Sequence, residues 1–193
     1  MRNLIAILLL VLFSTNLMAQ QNKRTQLLEN SLKKLRESPQ DSIKQRNFFN
    51  AFPAHFPDLL VCMGYTSFSS PIPNPEEYAS AFNDLTYISE REKMVRLSHL
   101  MIGGFWQEDG VNYVRHITKS LMRKDADRAL EIISQLTECQ QILFWQSYWQ
   151  NPCKDPSLEK DLKLFESAHG YNHEKKTMKE AYESFSGELP LMY

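Results

Sequence analysis

The chain has 193 residues and a mass of 22.6 kDa, with 42% hydrophobic and 23% charged residues. That balance supports a packed core and excludes disorder across the body. A formal net charge of −1 excludes the large basic excess that draws a protein to nucleic acid or anionic lipid.

The N-terminus reads differently from the rest. Arg2 precedes an unbroken apolar run, LIAILLLVLF, from Leu4 to Phe13, and Leu17-Met18-Ala19 offers a small residue before Gln20. This is the pattern of a secretory signal peptide. The run is half the roughly 20 apolar residues that a spanning helix needs. The expectation is cleavage near Ala19, a periplasmic or secreted product, and no stable membrane insertion afterwards. No cysteine follows the cleavage point to carry a lipid.

The body reads as helix after helix. Leu28, Leu32 and Leu35 share one face of a helix over 22–36, which Ser38-Pro39 stops. Asp41 or Ser42 caps the next, which carries Phe48, Phe49 and Phe52 up to Pro53. A short helix over 56–63 follows, with Pro57 in its first turn. GYTSFSSPIPNP, from Gly64, is the clearest loop. Asn74 is placed to cap a helix beginning Pro75-Glu76-Glu77. Ser89 and Glu92 have capping-box spacing, and Gly103-Gly104 ends that helix. Helices over 107–123, 125–136 and 137–150 follow. Asp155-Pro156 starts another, Gly170 ends it, and 175–185 is the last. No segment alternates as a strand does. The expected fold is all-α: a single domain of about nine short helices, as layered helical hairpins. The expected division is 1–19 signal peptide, 20–185 all-α domain and 186–193 irregular tail.

Chemistry-bearing motifs are sparse. His169 and His173 are four apart, but Gly170 interrupts any shared helix, and although Glu174 adjoins His173 a site still needs a third ligand from elsewhere. His99, between Ser98 and Leu100, and His116, after Arg115, lie on separate predicted helices, and catalysis there would need a nucleophile or carboxylate placed by the fold. No nucleophile elbow or phosphate-binding glycine loop occurs. No catalytic residue, metal or cofactor is assigned.

Cys62, Cys139 and Cys153 are an odd set. Two readings stand open: one Cys139–Cys153 disulfide in an oxidising compartment, or three unpaired thiols. Phe48, Phe49, Phe52 and Phe56 suit the inside of a corner between two helices. Phe144-Trp145 and Tyr148-Trp149 cover two neighbouring stripes of one helix, so one stripe is core and the other is available to a partner. The candidate partner surface is therefore Tyr65, Phe68 and Ile72 of the proline loop with the acids Glu76 and Glu77, joined by Trp145 and Trp149.

NFFNAFPAHFPDLLVCMGY from Asn47, GGFWQEDGVNYVRHI from Gly103, LFWQSYWQNP from Leu143 and MKEAYESF from Met178 together resemble a group of small exported Bacteroidetes proteins encoded beside antibacterial toxins. The resemblance spans about 47–185. It implies an immunity-type protein that neutralises a cognate toxin by stoichiometric binding, without enzymatic activity. The alternative is an envelope enzyme, such as a hydrolase, or a ligand-binding protein whose site is assembled from distant residues.

Overall fold

The computed structural model describes residues 23–64, 72–105, 110–151 and 155–186. The proposed signal segment, the tail beyond Ser186, Tyr65, Phe68 and Cys153 lie outside them; Ser186, expected to open the irregular tail, is the last residue of a helix. Ten α-helices and no strands occur among the described residues. They are α1 (23–37), α2 (Ser42–Ala51), α3 (Phe56–Met63), α4 (Pro75–Asn83), α5 (Glu90–Met101), α6 (Gly110–Lys124), α7 (Ala126–Ser134), α8 (Glu138–Trp149), α9 (Pro156–Ser167) and α10 (Asn172–Ser186). None is long and apolar enough to cross a membrane.

The helix starts follow local chemistry. The Asp41 carboxylate accepts from the Ile43 and Lys44 amides, and Asp155 accepts from that of Ser157. Ser89 and Glu92 form the expected capping box. Thr137 and Gln140 form a second one at the same spacing, T-x-x-Q. Asn74 differs from expectation. It sits at the cap position with a left-handed backbone (φ 52°), and its side chain makes no cap bond. Its amide instead donates to the Glu77 carboxylate at 3.3 Å. Asn tolerates this conformation better than most residues do.

Two apolar clusters fill the interior. The first joins α1 to α4 with one side of α5 and α6; the second joins α7 to α10 with Met101 of α5 and Met122 of α6. The closest pairings skip a helix, α4 on α6 and α8 on α10, so sequence neighbours do not simply stack as hairpins. Phe48, Phe52, Leu97, Val114, Ile133 and Phe144 are all buried, as expected.

Gly110 shows why α6 can seat where it does. A Cβ there would lie 2.6 Å from Pro75 Cβ and 2.7 Å from Met63 Cβ. The start of α6 thus touches the end of α3 and the start of α4. Only a residue without a side chain permits that approach.

Candidate functional site

The aromatic stretch around Phe52 resolves into core and wall. Phe48, Phe49, Phe52 and Phe56 are buried. Phe49 stacks on Phe82 of α4 at 5.6 Å between ring centroids, and Phe52 lies 4.4 Å from the same ring. The chain turns at Pro53, which places Ala54 and His55 beside the exposed side of α5. There they wall a groove of about 370 Å³ with Phe49 of α2 and Arg91, Val95 and His99 of α5. Glu92 and Arg96 complete it.

The floor of the groove is a stacked aromatic. The Arg96 guanidinium carbon lies 4.6 Å from the Phe49 ring centroid, and that of Arg46 lies 5.6 Å away. One Arg96 amino group donates to the Phe52 carbonyl at 2.9 Å, which ties α5 to the end of α2. Burial lowers the Arg96 pKa from its usual value. Glu92 accepts from Arg46 at 2.7 Å and from the Ser89 hydroxyl at 2.8 Å. The Arg46 and Ser89 hydrogen bonds hold its carboxyl down at about 2. Arg91 reaches Glu131 of α7 at 3.1 Å. The groove thus has an apolar floor and Val95 wall, with arginines and two histidines at its edge. Its one lining acid is already engaged, so it suits a carboxylate or other anionic group attached to an apolar body.

The predicted contact residues scatter. Ile72 is buried, and its amide donates to the Cys62 carbonyl at 3.0 Å. Trp145 and Trp149 are core, at 0% and 1% exposure, because α8 is covered by both α5 and α10, which enclose two of its stripes. None of these three can present a side chain to a partner. Glu76 is exposed, whereas Glu77 is half-buried and pairs with Arg36 of α1. Cys139 is an exposed free thiol at the start of α8, and Cys62 is buried, where desolvation raises its thiol pKa.

His169 and His173 stay apart from any ligand set. Gly170 and Tyr171 have left-handed backbones, φ 74° and 54°, so the two histidines do not share a helix. No group of three His, Cys, Asp or Glu residues arranged for a metal occurs among the described residues. His116 is exposed, and burial together with Lys119 and Arg115 lowers its pKa.

The residues that sequence reading missed are those of the α5 face. Arg91, Val95 and His99 recur at spacing four, which puts them on one stripe. That signal was present. What sequence could not show was that the Pro53 turn brings Phe49 and His55 against this stripe. Compared with known proteins, the chain matches no family model, no curated protein and no solved structure.

Proposed function

We propose that the protein is an exported, immunity-type binding protein that neutralises a toxin by stoichiometric occlusion, and that the α2–α5 groove is its contact site. The observation that carries this reading is the groove itself. An aromatic floor, an arginine stacked on it and a charged rim are the anatomy of an interface hot spot. The apolar run after Arg2 supports export, and the role is suggested by the resemblance of the aromatic segments to small exported proteins encoded beside toxins. The basic edge favours a partner that inserts an acidic side chain or its C-terminal carboxylate. This moves the contact away from the proline loop, where Ile72 is buried and Glu77 is paired.

The test is co-expression with the product of a neighbouring gene in the periplasm. Wild type is expected to protect and to co-purify one-to-one. Charge reversal at the rim, Arg91→Glu with His99→Glu, is expected to weaken the complex about 100-fold while leaving the melt cooperative. Protection retained by that folded variant removes the surface. No complex with any neighbouring product removes the role. A small anionic ligand is the second reading, favoured because the groove volume of about 370 Å³ falls in the range of about 300–1,000 Å³ common to such sites. It predicts saturable binding of aromatic carboxylates in place of a protein complex.

A further inference from the structure

One stripe of α6 carries three cations one turn apart: Arg115 and Lys119, which are buried, and Arg123, which is exposed. Each meets a different environment where α6 packs against the end of α8 and the start of α9.

Arg123 is fully matched. Its guanidinium grips Asp161 of α9 through both carboxylate oxygens, at 2.6 and 2.7 Å. The buried Tyr148 hydroxyl donates to the same carboxylate at 3.0 Å. Asp161 is therefore committed. Asp155, the other acid whose charge acts on Lys119 and Arg123, caps α9 through the Ser157 amide and accepts from the Asn151 amide at 3.1 Å.

Arg115 is matched on one side only, and the charge of Lys119 is only partly offset by Asp161 and Asp155. Arg115 is 3% exposed. One of its terminal nitrogens, Nη2, donates to the Gln150 carbonyl at the C-terminus of α8, which is a favourable place for a cation. The other, Nη1, is buried with no hydrogen-bond partner among the described residues. Lys119 is 8% exposed and sits 5.2 Å over the Tyr148 ring. Burial first, and the neighbouring Arg115 next, lower its pKa to about 8; burial alone lowers that of Arg115 to about 10. An arginine keeps its proton even so. A buried cation with an empty donor is costly unless something satisfies it. Capping of α8 explains Nη2 and leaves Nη1 unexplained.

We infer that Arg115 and Lys119 form a binding site for a small oxyanion, of the phosphate or carboxylate type, at the junction of α6 with the C-terminus of α8. The planar guanidinium offers a directed donor and the ammonium a compact charge, the pairing that recognises such oxygens. Arg123 and Asp161 hold the far end of the face rigid. The site is separate from the α2–α5 groove and does not depend on the role proposed for it.

The probes are inorganic phosphate and acetate, each compared with chloride at matched ionic strength. The thermal midpoint of wild type is expected to rise in phosphate or acetate relative to chloride, and the part of that rise lost in Lys119→Met, beyond the general stabilisation by excluded salts, identifies the preferred oxyanion. Lys119→Met is expected to weaken that binding about tenfold or more, and Lys119→Arg to preserve it. A wild-type midpoint equal in all three salts overturns the site, as does an undiminished rise in Lys119→Met. Should Lys119→Met fail to fold, the nitrogen-15 signal of the Arg115 guanidinium decides. It is expected to shift saturably on adding millimolar phosphate or acetate to wild type, and its indifference to both overturns the proposal.

Discussion

The two cores are built from different aromatics, and the difference sets how each half can fail. The first is a phenylalanine core. Phe48, Phe49, Phe52 and Phe82 pack ring on ring with no polar atom to satisfy. The second is a tryptophan and tyrosine core, in which Trp145, Tyr148 and Trp149 of α8 meet Phe165 of α9 and Tyr182 of α10. Those rings bring polar tips inside. Tyr148 finds Asp161, and Trp149 donates to the Met178 carbonyl at 3.1 Å. Trp145 Nε1, Gln141 Oε1 and Arg115 Nη1 find nothing among the described residues, and all three border α8. A phenylalanine core asks only for shape, whereas a tryptophan core also asks for partners. The first half therefore depends on volume and the second on a polar network.

The largest effect should come from volume. Phe52→Ala removes a ring that is 1% exposed and touches both Phe48 and Phe82. We expect a loss of about 3–5 kcal/mol in denaturant unfolding. An unchanged midpoint would show that the phenylalanine core does not carry the first half.

Asp161→Asn breaks the network with almost no change in volume. It leaves Arg123 without its counter-charge and alters the acceptor of Tyr148. The expected cost is about 3 kcal/mol, at the low end for a buried pair because Arg123 is 38% exposed. The same isosteric change at exposed Glu76 should be nearly silent. Equal losses at the two sites would erase the distinction between network and surface.

The pH response separates the halves further. The Lys119 pKa falls from an ordinary 10.5 to about 8 on folding. Between those values the unfolded chain binds more protons, so stability rises with pH across that window. Below about 8 the full penalty applies, worth about 3 kcal/mol. Unfolding of wild type and Lys119→Met, measured from pH 7 to 10, is expected to converge as pH rises. A constant gap would show that Lys119 is not the source.

Gly110→Ala tests the seat of α6. Its Cβ would meet Pro75, Met63 Cβ and, at 2.9 Å, the Met63 carbonyl, none of which is a flexible end. The clash outweighs the gain in helix propensity, for a net loss of about 1–3 kcal/mol in chemical denaturation. A stabilised variant would mean that α3 and α4 can yield.

The smallest effect lies at the groove. Glu92 is held at about 2 by Arg46 and Ser89, against an ordinary 4.5. Its stabilisation is complete above about 4.5 and fades as pH falls toward 2. Because its side chain is 43% exposed, solvent screening reduces this to under about 1 kcal/mol. Comparing wild type with Glu92→Gln by acid titration checks it. The two curves should meet near pH 2.

Much of this was legible in the sequence, because it depends on chemistry within a few residues. Asp41, Ser89 and Asp155 start their helices as read, since a cap is a contact between near neighbours. Pro53, Gly103 and Gly170 end segments because their own backbone geometry allows little else. The all-helical class and the burial of Phe52 or Val114 followed from spacing. Spacing identifies apolar stripes, but not which of two neighbouring stripes faces water. Trp145 and Trp149 looked available for that reason, and packing by α5 and α10 enclosed them. Likewise, only the fold brings His55 beside His99, or leaves Arg115 with one donor matched and one empty. Those juxtapositions join residues more than thirty positions apart, where the chain connection imposes no local constraint and packing alone selects the neighbours.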